Sequence, residues 1–249
     1  MTIKLNHTVI TEDTDYDNCV KFSPSELPFV NCPYLLWLSK RMGIKPPIGV
    51  FPAVFRKIDG AAKEFFEGKS PKLFDKKLFD GKIYVGGKIQ SKIFRDTLSG
   101  LRYWFSGIPD FIIVSDCKKR HGVIDDKCAD PSNSRFLESY FLQVCAYRWC
   151  LMFPRFDKGH QNVDTLGIHV TEPSSLIKNQ DGLISYKAKE KFIPFAINDK
   201  ILEDKMSDFG KIIRSDYPPE VNTADNEALW NFVKAESLVK KKGDVSFIG

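Results

Sequence analysis

The chain has no Cys-x-x-C pair, although it carries six cysteines: Cys19, Cys32, Cys117, Cys128, Cys145 and Cys150. With no paired-cysteine motif, they read as reduced, mostly buried thiols of an intracellular protein. It also lacks an apolar signal run after Met1-Thr2-Ile3-Lys4, and no apolar stretch reaches the length needed to span a membrane. The expectation is a cytoplasmic protein with no membrane partner. No G-x-x-x-x-G-K-[ST] phosphate loop is present, which excludes that nucleotide motif and any helicase built on it. There is no internal repeat and no low-complexity linker, so residues 1–249 are expected to form a single domain, with a loose arm at 1–21 and a flexible tail at 237–249. Charge of one sign is only mildly in excess. The net +5, spread along the whole length, is compatible with a polyanion without demanding one.

What is present is ordinary for a soluble globular protein: 249 residues, 43% hydrophobic and 28% charged. A chain of this length can bury a substantial core without staples. The first residues are polar and acidic, with Glu12, Asp13, Asp15 and Asp17 close together. Ser23-Pro24-Ser25-Glu26 signals a helix start leading through Leu35, Leu36, Trp37 and Leu38 to Gly43, and Lys45-Pro46-Pro47 breaks it. Phe55, Ile58, Ala62, Phe65 and Phe66 recur at helical spacing and predict a second helix over 52–68. From Leu73 to Lys127, short apolar or β-branched runs separated by glycine predict an antiparallel meander. A strong helix is expected over 136–153, strands over 164–170 and 183–196, a helix over 198–214 with Asn198 as its cap, and a last helix over 224–235.

Within this frame, acid-x-Lys tripeptides are common: Glu67-Lys69, Asp75-Lys77, Asp80-Lys82, Asp116-Lys118, Asp125-Lys127 and Glu203-Lys205. Only Asp125-Asp126-Lys127 follows directly on an apolar pair, Val123-Ile124, in a strand-like run. Side chains alternate along a strand, so Asp125 and Lys127 share one face with Val123, while Ile124, Asp126 and Cys128 take the other. Fifteen residues earlier Gly107-Ile108-Pro109-Asp110 opens the run Phe111–Val114, and the basic turn at 117–121 folds the two runs into a hairpin. Asp110 and Asp125 then come within reach of one ion. On the following helix Gln143 and Tyr147, four apart, lie on one face.

This order of motifs resembles the PD-(D/E)xK nuclease superfamily, and within it the RecB/Cas4-like group. The matching residues are Asp110, Asp125, Lys127, Gln143 and Tyr147. The resemblance covers about residues 22–195 by order of elements and 107–147 by motif. It implies an α/β fold: a central mixed β-sheet flanked by helices, with a restriction-endonuclease-like core. It also implies a metal-binding side chain on an upstream helix, where Asp59 stands at the comparable place and Glu64 is a weaker candidate. Two departures stand out. Asp126 occupies a position where a bulky apolar or aromatic residue is more usual. No cysteine follows Cys150, so the iron–sulfur cluster of Cas4-type relatives is not expected.

What the resemblance implies is a Mg²⁺-dependent DNA nuclease, with Mn²⁺ as a substitute, in phage or bacterial DNA processing, recombination or defence. Asp110 and Asp125 would supply carboxylates to the cation, Asp126 a main-chain carbonyl, and Asp59 a further ligand; hard cations favour such oxygen donors. Lys127 would orient the attacking water or stabilise developing charge. Gln143 and Tyr147 would position the DNA backbone or the lysine. The DNA is expected to be single-stranded or to carry free ends. Lys118, Lys119, Arg120, Arg135 and Arg148 are candidates for a phosphate track, and Tyr103, Trp104 and Phe105 for base stacking, though a core strand is the better reading of the aromatic run. His121, His160 and His169 are assigned to no metal. The alternative from another class is a nucleic-acid-binding or assembly protein that keeps the fold without turnover.

Overall fold

A computed structural model describes residues 7–10, 15–29, 32–44, 53–128, 137–156, 160–178 and 184–220. The last expected helix (224–235), the tail (237–249) and Arg135 lie outside these residues. The architecture is α/β, with two mixed five-stranded sheets flanked by helices. The first sheet contains β1 (His7–Ile10), β2 (Val20–Phe22), β4 (Ile89–Gln90), β5 (Ile93–Asp96) and β6 (Arg102–Gly107). Its order is β1-β5-β6-β2, with β4 also on β6. The second contains β3 (Gly81–Val85), β7 (Phe111–Ser115), β8 (His121–Cys128), β9 (Val163–Lys178) and β10 (Ile184–Phe195), in the order β10-β9-β8-β7-β3. The expected meander is thus divided: the chain leaves one sheet at Gly107 and enters the other at Phe111.

The helices are α1 (Pro33–Arg41), α2 (Ala53–Phe66), α3 (Leu137–Met152) and α4 (Asp199–Arg214). Among the described residues no helix is long and apolar enough to cross a membrane. The site sits where it does because of α3. From Phe141 to Met152 every residue is buried, the mark of a helix covered on all sides. One side packs on β8 and β9, another on β6 and β4, and α4 adjoins it. Trp149 meets Phe94 of β5 at a ring-centroid distance of 4.8 Å. The opposite face of the second sheet is covered by α2. Here Phe66 packs with Phe74, Ile83, Phe111, Ile113 and Ile124. Each such aliphatic or aromatic side chain contributes about 1.5–3 kcal/mol on burial. Residues 121–128 form a strand with both faces covered, and β8 runs parallel to β9 as a crossover through α3 requires. Gly122 is needed there: a Cβ would come within 2.7 Å of the Ile113 side chain and 2.8 Å of Thr165 Cβ.

Two expectations change at the amino end. Pieces of the segment taken as a loose arm are strands: His7–Ile10 pairs antiparallel with β5, and Val20–Phe22 runs parallel to β6. The helix read from Ser23 is broken into a 3₁₀ turn, Pro24–Phe29, and α1. Asn198 makes no side-chain cap on α4. Its neighbour Asp199 instead accepts from Trp149 Nε1 at 2.8 Å and pairs with Arg148.

Candidate active site

The β7–β8 hairpin pairs Phe111 with Ile124, which sets Asp110, just before β7, beside Asp125 and Asp126 on β8. Alternation along β8 does the rest. Val123 joins the core around α3, and Ile124 joins the one under α2. Asp125 and Lys127 therefore face the α3 side, and Asp126 the other. The Lys127 ammonium pairs with Asp125 Oδ2, and Gln143 Nε2 of α3 donates to Asp125 Oδ1 at 3.1 Å. The Asp110 and Asp125 carboxyl groups are near enough that each shifts the ionisation of the other. The backbone N–H of Asp126 donates to Asp110 Oδ2 at 2.8 Å.

These groups line a cleft of about 440 Å³ together with Ser23, Ser25, Gly107, Ile108 and Tyr147. Asp125 is 1% exposed. Burial pushes its carboxyl well above the usual carboxylate range; the Lys127 ammonium pulls against burial, and the Asp110 charge pushes with it. Burial also works to raise Asp110, but hydrogen bonds from Asp125 and Lys63, with the charge of Lys127, outweigh it and hold Asp110 low. Burial works hardest against the Lys127 ammonium, but the Asp125 charge and hydrogen bond, with the Asp110 charge, together outweigh it and raise its pKa. Lys127 is therefore a fixed positive charge, suited to stabilising negative charge and unsuited to accepting a proton.

Asp59 and Glu64 take other places, while the Asp126 side chain faces away as alternation predicts. Asp59 does not meet Asp125; it pairs with Lys63 at 2.8 Å, and the Lys63 ammonium in turn reaches Asp110 Oδ1 at 2.9 Å. Glu64 is exposed on α2. The Asp126 side chain points away from the cleft to His169 Nδ1 at 2.7 Å, with both residues buried or nearly so. Tyr147 holds protein rather than open space: its hydroxyl donates to the Ile108 carbonyl at 2.9 Å. Gly107 makes that approach feasible, since a Cβ there would lie 2.9 Å from both Tyr147 Cε1 and Pro24 Cδ.

The expected phosphate track is also thinned. Arg148 is buried; its Nε donates to the Val163 carbonyl at 2.9 Å, and it pairs with Asp199. Arg120 pairs with Asp164 at 2.6 Å, while Lys118 and Lys119 remain exposed. Tyr103 and Phe105 are fully buried core residues. Trp104 lies on the other face of β6, edge-on to Tyr16 at 5.1 Å.

Lys63 was missed from sequence, although the spacing Asp59-x-x-x-Lys63 is the helical ion-pair signal. Ser23 and Ser25 were read only as a helix start.

No family model matches the chain, and none of the curated proteins does. Among solved structures, the crystal structure of SSO0001 is similar over 79% of this chain and 77% of that one, with a TM-score of 0.44 and 12% sequence identity. The functional reading therefore stands on the site itself.

Whether the cleft suits a divalent cation is a question of its donors. Two neighbouring carboxylates repel each other when both are charged, and a hard cation between them relieves that repulsion. Among the described residues no group of three or more His, Cys, Asp or Glu side chains converges on one point. Mg²⁺ is commonly held by one or two carboxylates and keeps several waters, so the pair Asp110/Asp125 fits it.

Proposed function

We propose that this protein is a metal-dependent nuclease that hydrolyses DNA phosphodiester bonds. The observation that carries the reading is the convergence of Asp110, Asp125, Lys127 and Gln143, from a loop, a strand and a helix, in one cleft. Asp110 and Asp125 would hold the cation. When bound, it would lower the pKa of a water and neutralise charge on the scissile phosphate.

The chain's own groups have distinct tasks. Lys127, already charged and fixed beside Asp125, stabilises negative charge developing on the phosphate. Gln143 holds Asp125 Oδ1 and so fixes which carboxylate edge faces the cleft. Tyr147 fixes the Gly107–Asp110 loop through Ile108 and sets the position of Asp110. The Asp126 amide fixes the other oxygen of the Asp110 carboxylate. Exposed Lys118 and Lys119 on the β7–β8 turn add salt-sensitive attraction for a polyanion.

The test is cleavage of end-labelled single- and double-stranded DNA with Mg²⁺ or Mn²⁺ by the wild type, Asp125→Asn and Lys127→Ala. Cleavage by the wild type and loss in both variants is expected. Equal cleavage by all three would assign it to a contaminant. No cleavage with retained, salt-dependent DNA binding would favour a binding protein on the same scaffold.

A further inference from the structure

Lys63 was absent from the expected ligand set, yet it takes an oxygen of Asp110 that a cation would use. Its ammonium lies 2.9 Å from Asp110 Oδ1. The other Asp110 oxygen is engaged by the Asp126 amide at 2.8 Å. Both oxygens of the first carboxylate are therefore taken by donors from the protein. On its other side the same ammonium contacts both oxygens of Asp59, at 2.8 and 2.9 Å, one turn back along α2. Lys63 is partly open to solvent, with 28% of its side chain exposed, so it has room to move.

The charges sharpen the point. With Lys63 on Asp110 and Lys127 on Asp125, each carboxylate of the pair has its own ammonium. A divalent cation arriving between them would sit against two positive charges. Lys127 sits on the strand that carries Asp125 and is paired with it there. Lys63 alone has a second carboxylate, outside the pair, to which it can retreat.

We propose that Lys63 is a displaceable internal cation: it holds Asp110 while the metal is absent and withdraws onto Asp59 when the metal binds, so that it sets how much divalent cation the site needs. Asp59 is then a positioning residue that receives the lysine and not a ligand of the metal. This inference rests on Asp110 and Asp125 being the cation site of the proposed nuclease. Its chemistry is competition of one charge for one carboxylate, with no bond made or broken.

Calorimetric titration of the full chain with Mn²⁺, without DNA, tests it apart from turnover. The wild type should show a site that Asp125→Asn abolishes. Lys63→Met and Lys63→Gln should each tighten that site by about tenfold, the equivalent of removing one partly screened like-charge contact. Asp59→Asn should weaken binding in the wild type, because Lys63 then has no other partner, and should have no effect in the Lys63→Met background. Thermal melts should show the metal-free Lys63 variants folded but less stable than the wild type, with a larger rise on adding Mn²⁺.

Equal or weaker affinity in both Lys63 variants, with the Asp125-dependent site intact, overturns the role of Lys63 and leaves the nuclease reading standing. A loss of affinity from Asp59→Asn in the Lys63→Met background makes Asp59 a ligand and overturns its assignment as the resting place. Absence of any Asp125-dependent site in the wild type and both Lys63 variants overturns the proposal and the cation site together.

Discussion

The backbone amide of Asp126 donates to the carboxylate of Asp110 at 2.8 Å, although the Asp126 side chain lies on the opposite face of the sheet against His169. One residue thus serves the cleft with its main chain and the core with its side chain. Asp126→Asn keeps the amide, so its loss of cleavage rate should be smaller than that of Asp110→Asn. Equal losses in a steady-state assay would put the Asp126 side chain in the cation site.

His169 is the counterpart of that division. It is 3% exposed, packs against the rings of Phe66 and Phe74, and is bonded to Asp126. His169→Phe leaves the Asp126 carboxylate buried without its partner and should destabilise the fold by about 2–4 kcal/mol in urea denaturation. An unchanged midpoint would mean that the pair contributes nothing to stability.

Lys127 carries a larger burden than a surface lysine. Lys127→Ala strands Asp125 in a buried position and should lower the cleavage rate by about 10²–10³-fold. Lys127→Arg should not restore it, because a planar fork cannot take the place of a point charge against the buried Asp125. Full activity of the arginine variant would contradict this geometry.

Arg148, expected to meet phosphate, is instead a buried strut between α3, β9 and Asp199. Arg148→Met should reduce stability by about 3–5 kcal/mol, since Asp199 loses its ion-pair partner and keeps only the Trp149 indole N–H. The salt slope of DNA binding should stay as in the wild type, whereas removal of Lys118 and Lys119 together should flatten it. A flattened slope in Arg148→Met would reverse the assignment.

Asp96 offers a pH signature away from the cleft. Burial works to raise its carboxyl, but hydrogen bonds from Ser99, Ser207 and the Leu98 amide outweigh burial and hold it below the usual range. A carboxyl lowered in the folded state contributes stability that is present above its unfolded pKa of about 3.9 and is lost as pH falls through the lower folded value. Asp96→Asn should therefore be less stable than the wild type at neutral pH, with the difference shrinking on acidification below about pH 4. A constant difference across that range in denaturation curves would refute the assignment.

Much of this site could be read from the sequence because it is built from local rules. Alternation along β8 placed Asp125 and Lys127 together and sent Asp126 away, and a short basic turn was enough to bring Asp110 alongside. The spacing of Gln143 and Tyr147 put them on one face of α3. Other features follow no local period. Val20–Phe22 is a strand only because β6, far along the chain, lies beside it. Nothing in the apolar runs from 73 to 127 marked where the chain changes sheets, because Tyr103 and Phe105 alternate in the same way whichever sheet owns them. Arg148 looked like a surface cation because Asp199, its partner, comes from a different helix. Lys63 reaches Asp110 across an element boundary, and only its tie to Asp59 had a signature in the sequence.

The β7–β8 hairpin also bears on the order in which the chain folds. Asp110 and Asp125 are joined by a short loop, whose closure is entropically cheap and fast. Gln143 reaches them only after α3 has docked, and Lys63 only after α2 has covered the other face. Lys127 travels on the same hairpin and neutralises Asp125 at once, whereas Asp110 waits for Lys63 of α2. Docking of α2 onto the formed hairpin is thus the step drawn by opposite charges, and it is the step that salt should slow.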